Sequence, residues 1–311
     1  MKEILDAQLS IESTLNYFVA GLLAYGLIEL AYLYFFKKYD RMGDYKQNTI
    51  NFVFVIGMNI LISSLFGTIS TGVLAILGYQ HAIFTTDLSW HWWIYGLLVY
   101  EFFYWVQHWL AHKVRFFWCL HSPHHAPESM NMFVGFNHSF LETIFYMPFF
   151  MGLMPALLGV NPVIILVILV IDVTWGNLLH INESVMPGRY GLLEKILQTP
   201  SYHRVHHAQN VRYMDTNYNS MTLFWDWVFG TLQPLDDQEE VVYGITREVD
   251  ASSFFDVQFG EYALLAKDIW AAPGLKDKCL YLVMPPGWSH TGEHQMASVL
   301  KQREKIVNSP A

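Results

Sequence analysis

Residues 202–210 read YHRVHHAQN and set His203, His206 and His207 at spacings of i, i+3 and i+4. Residues three and four apart share one face of a helix, so three imidazoles emerge there together. Neutral imidazole is the commonest protein metal ligand, and the pattern points to metal chemistry. The same grammar recurs upstream, where His108 and His112 form HWLAH, His121, His124 and His125 form HSPHH, and His180 closes NLLH. A lone histidine is ordinarily a packed or solvated residue, and His81, His91, His290 and His294 fit that description. Eight histidines in three spaced clusters do not. Eight or nine nitrogen donors exceed what one ion can use, which predicts two metal ions. Ligand type leaves zinc, copper, iron and nickel open. A structural zinc site needs only four ligands, usually with cysteine, and the HExxH of zinc peptidases is absent.

Local sequence suggests how each cluster is presented. Thr199 is suited to cap a helix and Pro200 to open it, since the first helical position has no use for an N–H. In HSPHH, Ser122 and Pro123 have the character of a cap and first turn. That predicts His121 just outside the helix, reaching the site from the preceding loop.

The elements that must carry these residues are apolar. Hydrophobic residues make up 53% of the 311-residue chain and charged residues 14%, against about 25% charged in ordinary soluble domains. A spanning helix needs about 20 mostly apolar residues. Candidate runs cover residues 14–36, part of 50–78, 91–110, and 140–176, the last broken at GVNP (159–162) into a tight hairpin. Lys37, Lys38, Arg41 and Lys46 follow the first run, Lys113 and Arg115 the third, and Arg189, Lys195 and Arg204 the fifth, whereas the loop at 79–90 has no Lys or Arg. By the positive-inside rule these flanks, and the histidines with them, face the cytosol.

The expected fold is therefore all-α and integral to the membrane, with about four to five transmembrane helices and a cytosolic helical cap carrying a histidine-rich two-metal site. Its expected parts are N-terminal transmembrane helices at 1–90, a catalytic unit at 91–235 and a polar cytosolic tail or cap at 236–311, in which MPPGW (284–288) reads as a turn. The polar, acid-containing start lacks the features of a signal peptide, so the first run is read as retained. Cys119 and Cys279 do not make a disulfide framework. A formal charge of -9 and the lack of a basic patch argue against nucleic acid as a partner.

Acidic residues near the histidines are candidates for supporting roles. Glu101 lies seven residues before His108 on the same helical face, and an intramembrane carboxylate is costly enough to need a reason. It is expected either to orient a ligand imidazole or to make a helix-packing hydrogen bond. Asp172 is a weaker case of the same kind, and Asp215 and Asp226 are further candidates to orient imidazoles. The aromatic stretch at 90–105 is read chiefly as interfacial anchoring.

The block TPSYHRVHHAQNVRYMDTNYNSMTLFWDWVFGT resembles the last histidine motif of the fatty acid hydroxylase/sterol desaturase superfamily, in its alkylglycerol monooxygenase-like or bacterial sterol desaturase branch. The similarity runs over roughly residues 90 to 235 and rests on His203, Arg204, His206, His207, Asn210, Tyr213, Asp215, Asn217, Tyr218, Asp226, Phe229, Gly230 and Thr231. The resemblance implies a cytosol-facing di-iron centre held by His108, His112, His121, His124, His125, His180, His203, His206 and His207, with His138 in FNHSFLE a tenth candidate. It implies O2 as co-substrate, an apolar lipid or sterol substrate that is hydroxylated or desaturated, and two electrons from an outside partner. That donor is a cytochrome b5-like protein, a ferredoxin or tetrahydropterin. The site belongs in the endoplasmic reticulum of a eukaryote or the inner membrane of a bacterium. Trp109, Ser220 and Met130 stand where relatives often have Arg, Gly and Tyr, which weakens an alkylglycerol assignment but touches no expected ligand. The competing reading, a membrane metal transporter, calls for ligands near the bilayer midplane on broken helices, whereas these cluster at helix ends.

Overall fold

The computed structural model describes residues 2–36, 68–139, 141–142, 146–250 and 253–307. Most of the 50–78 run and the basic loop that precedes it lie outside these residues. Among the described residues the backbone is helical, with two isolated bridges and no strand ladder.

Helix α1 covers Lys2–Phe36, α2 Thr68–Gln80 and α3 Trp90–Lys113. A break at Val114 separates α3 from α4 at Arg115–His125. A π-helical turn at Pro148–Leu153 runs into α5, Met154–Leu157, and α6 covers Pro162–Leu179. Then come α7 at Pro200–His206, α8 at Phe224–Phe229, and three cap helices, α9 at Phe254–Ala271, α10 at Leu275–Val283 and α11 at Ala297–Val307.

The apolar core sits where α2, α3, α5 and α6 meet, around Ala75, Tyr100, Met151, Ala156, Ile164, Ile165 and Ile168. Of the described helices, α6 alone is long and apolar enough to cross a membrane by itself, while Ala20–Phe36, Ile69–Gln80 and Pro148–Leu157 are shorter apolar stretches. The limb before α6 is irregular because Pro155 has no N–H to donate back one turn, and the preceding turn widens into π geometry. The expected hairpin turn follows. Gly159 adopts φ +86°, and a Cβ there would meet the Phe84 carbonyl oxygen at 2.6 Å, so only glycine fits. Asn161 caps α6 by accepting from the Val163 N–H at 2.9 Å.

Cap helices α9 and α10 pack on α4. Cys119 is buried with Leu265, Ala272 and Tyr281, and Arg115 pairs with Asp268 at 2.7 Å. Both cysteines are free. Gly287 at φ +82° and the Trp288 N–H to Pro285 carbonyl bond of 3.1 Å make the expected turn at 284–288.

Candidate metal centre

Three helix ends deliver the imidazoles, the C-terminal ends of α3 and α4 and that of α7 with its C-cap His207, and His180 is added at the C-cap of α6. Thr199 stands at the N-cap of α7 as expected, but its hydroxyl donates to Glu194 Oε1 at 3.4 Å rather than capping the helix. HSPHH departs from expectation. Pro123 lies inside α4, Val114 is the N-cap, and His121 is helical rather than loop-borne. Pro123 has no N–H to donate back one turn, α4 ends two residues later, and the Pro123 carbonyl, one of the last in the helix, accepts from Asn137 Nδ2 at 2.7 Å.

All nine clustered histidines converge, in two groups. Ligand-capable nitrogens of His108, His112, His121, His125 and His206 lie within 4.8 Å of one another, as do those of His124, His180, His203 and His207. Every one of these residues is buried. The groups touch through the stacked rings of His125 and His207, with centroids 4.3 Å apart.

Hydrogen bonds fix which nitrogen faces inward. Nδ1–H of His108 donates to the Tyr218 carbonyl at 2.7 Å, that of His206 to Thr216 at 2.8 Å, that of His124 to Val134 at 3.1 Å and that of His180 to Gly176 at 2.7 Å. His121 Nδ1–H donates to Glu142 Oε1 at 3.1 Å. An imidazole that donates through Nδ1 carries a bare lone pair on Nε2. Yet Nε2 of His108 lies 3.1 Å from Nε2 of His121, and Nε2 of His124 lies 3.3 Å from that of His180. Two lone pairs cannot hydrogen-bond; they face each other stably only with a cation between. In the four-histidine group, four of the Nε2 pairs lie between 2.8 Å (His203 to His180) and 3.3 Å (His124 to His180) apart. Metal–nitrogen bonds of about 2.1 Å set neighbouring ligand nitrogens about 3.0–3.4 Å apart for octahedral or tetrahedral ions. In the other group, Nε2 of His112, His125 and His206 is buried with no hydrogen-bond partner. Both groups thus fit a metal ion.

Burial is the first cause that pushes the His124, His125, His203 and His207 rings well below the ordinary histidine range, with neighbouring imidazoles adding to it. Burial likewise takes His206 down to about 3 from the usual 6.5. Neutral rings are what metal binding requires. Because the folded value is depressed, the unfolded chain binds more protons between those two values. Metal-free protein should therefore hold its full stability above pH 6.5 and lose it progressively as pH falls toward 3, a trend readable in thermal melts of chelator-treated protein.

The carboxylates distribute differently from expectation. Glu101 touches no imidazole; it accepts from the backbone N–H groups of Met221 (2.7 Å) and Thr222 (3.0 Å), the Thr222 hydroxyl and Asn219 Nδ2 (3.2 Å). Asp226 likewise binds the Tyr218 and Asn219 N–H groups, both at 2.8 Å, and the Trp105 indole at 3.2 Å. The reason is local: a non-helical loop inside the protein leaves amides that need acceptors. Asp226 bears on the site at one remove, since it holds the Tyr218 and Asn219 amides and the Tyr218 carbonyl between them is the acceptor for His108. Of the carboxylates expected from sequence, Asp215 comes closest to a clustered histidine, 3.7 Å from His112 Nδ1, and it also pairs with Lys113.

Two supporting residues escaped sequence reasoning. Glu142 joins His121 to His138, whose Nδ1 lies 3.0 Å from its other oxygen. His138 therefore groups with His121 and Glu142 rather than with either larger cluster, and its ring stacks on His124 at 4.1 Å. The i, i+4 spacing of His138 and Glu142 was the available signal. Glu29, from the first apolar run, accepts from the Met132 N–H at 2.8 Å and the Asn182 N–H at 2.7 Å. It fixes the segments that flank His124 and His180, and a carboxylate within an apolar run was the clue.

Packing around His180 makes a specific prediction. A Cβ at Gly135 would lie 2.6 Å from Asn177 Oδ1 and 3.0 Å from His180 Nδ1. Gly135→Ala should displace His180, costing about 1–3 kcal/mol of stability and weakening metal retention by the four-histidine group in a chelator competition.

A cavity of about 160 Å³ opens beside His112, His125 and His206, walled by Trp118, Met214 and Leu300.

Comparison with known proteins agrees with this geometry. The fatty acid hydroxylase family model matches residues 93–231, a range holding every clustered histidine. The alkylglycerol monooxygenase of Xenopus tropicalis is 33% identical over 202 residues, which cover 65% of this chain and 43% of the relative. That of Homo sapiens is 33% identical over 209 residues, covering 65% and 43%. An ornithine lipid hydroxylase of Rhizobium tropici is 30% identical over 157 residues, covering 50% and 46%. The matched region thus spans less than half the length of these relatives. No solved structure matches the chain. Over residues 93–231, a little under half of its length, the chain is similar to the fatty acid hydroxylase family.

Proposed function

We propose that this chain is a membrane-bound di-iron oxygenase that hydroxylates or desaturates the apolar part of a lipid or sterol. The observation that carries the reading is the pairing of bare Nε2 lone pairs, His108 against His121 and His124 against His180. One iron would be held by His108, His112, His121, His125 and His206, the other by His124, His180, His203 and His207. Bound iron supplies the activation of O2, with two electrons from an outside cytochrome b5-like protein, ferredoxin or tetrahydropterin.

The residues of the chain orient, enclose and deliver. Backbone carbonyls of Tyr218, Thr216, Val134 and Gly176 lock four rings with Nε2 inward, as outer partners do in metal sites generally. Near-complete burial of the rings excludes bulk water, which protects a strong oxidant from side reactions. We read four to five spans, with the histidine layer on the cytosolic side and the division 1–90, 91–235 and 236–311 as transmembrane, catalytic and cap segments. An apolar substrate then enters from lipid between the spans. Alkylglycerol monooxygenase and ornithine lipid hydroxylase are both named for oxygenation of lipids, which favours hydroxylation and leaves an ether lipid among the candidate substrates.

Membranes containing the protein, supplied with reductant and 18O2, should yield lipids enriched in one 18O atom, and membranes with His206→Ala should not. Unlabelled and unaltered lipids in both samples would defeat the proposal.

A further inference from the structure

Three carboxylates are buried within the described apolar stretches of the helices, Glu29 on α1, Glu101 on α3 and Asp172 on α6. None contacts a metal-binding group. Glu101 and Asp172 both turn to one piece of chain, residues 219–222: Glu101 through the Met221 and Thr222 amides, Asp172 through the Ser220 hydroxyl. At 1.5 Å per residue, Glu101 stands about 10 Å along α3 from His108, and Asp172 about 12 Å along α6 from His180. Both helices run toward the histidine layer at their C-terminal ends. The 219–222 loop therefore lies well below that layer, inside the bundle. Met221 is packed in the apolar core with Ile164 and Ile168.

Helix α8 turns back along the outside, from Trp225 at the deep end to Phe229 beside Trp105, about 5 Å along α3 from His108. The Trp225 indole donates to the Leu98 carbonyl at 3.0 Å, about 15 Å along α3 from His108. Phe229 stacks on Trp105 with centroids 4.2 Å apart. The one charge of FWDWVF, Asp226, is fully buried, while Phe224, Trp227, Val228 and Phe229 are exposed, Trp227 by 70%. Beside α8, Leu192, Leu193 and Ile196 are also exposed, and that strip is tied to it by the Leu223 N–H to Ile196 carbonyl bond of 2.9 Å.

The geometry points to a re-entrant segment: residues Asn219–Phe229 enter the membrane from the histidine side beside α3, and the outer face of α8 sits among the acyl chains of that leaflet. Non-helical backbone at membrane depth persists only where protein groups satisfy it. Here the amides of Tyr218, Asn219, Met221, Thr222 and Leu223 all have partners, four of them on the carboxylates Asp226 and Glu101. That is the physical reason for placing costly carboxylates in apolar helices. The occupant is lipid because the exposed face of α8 is apolar throughout and continues the exposed apolar surface of α3 at Ile94 and Leu98.

The inference rests on the membrane reading above, and labelling separates the two. Full-length protein carrying Cys279→Ser is given one nitroxide at a time, at Trp227→Cys, Val228→Cys, Ile171→Cys on α6, or Lys276→Cys in the cap. In phosphatidylcholine nanodiscs, collision with O2 is compared with collision with a polar nickel chelate. Labels at 227 and 228 should read as lipid, as 171 does, and exclude the nickel chelate by about tenfold more than 276, because hydrocarbon rejects polar solutes. If 171 reads as lipid while 227 and 228 read as water or as protein contact, the re-entrant segment is wrong and the membrane reading stands. If 171 also reads as water, both fail.

Discussion

His206→Ala is expected to leave the protein folded with about one metal ion instead of two, and to lower lipid oxidation at least a hundredfold, beyond the roughly 10- to 100-fold typical of losing an outer partner. The His206 ring lies 4.4 Å from His108, 4.7 Å from His125 and 4.9 Å from His112, centroid to centroid. Its Nε2 is buried without a partner, and its Nδ1–H is committed to Thr216. His207, the next residue, belongs to the other group. His207→Ala should therefore also lose one ion, but from the four-histidine site. Element analysis and turnover on both variants check this directly; retention of both ions and of turnover by His206→Ala would mean that His206 is a packed side chain and not a ligand.

The second large effect belongs to Glu142. Its two oxygens take Nδ1–H of His121 at 3.1 Å and of His138 at 3.0 Å, and both acceptor atoms are buried with it. Glutamine keeps the shape but presents an amide NH2 to one of the two rings, setting donor against donor. Alanine strands both. Metal affinity should fall in the order wild type, Glu142→Gln, Glu142→Ala, with about 10- to 100-fold lost in Glu142→Ala, where the ligand ring of His121 has no acceptor. Chelator competition measures this without turnover. His138→Ala should be milder than Glu142→Ala, because it leaves the His121 partner in place; a stronger effect would make His138 a metal ligand.

The histidine layer was legible because helical spacing is a property of sequence: His203, His206 and His207 must share a face if α7 forms, and Pro200 at its first position says that it does. HSPHH was misread for the opposite reason. Proline marks either end of a helix, and only the packing of Cys119 against Leu265 and Tyr281 shows that α4 had already begun at Arg115. Glu101 could be flagged as a buried charge, but its partners lie about 120 residues away in a loop whose depth no local pattern encodes. Ser220 illustrates the same limit. A departure from the resemblance in sequence, it supplies the hydroxyl that meets Asp172. The division of nine rings into five and four is likewise tertiary, since α4 contributes His121 and His125 to one group and His124 to the other.

The most direct test is X-ray absorption with element analysis on the purified full-length protein reconstituted with iron. Two ions per chain, each with nitrogen-rich coordination near 2.1 Å, is the predicted result. A single ion per chain, or a coordination shell dominated by sulfur or solvent oxygen, would contradict the two-site account.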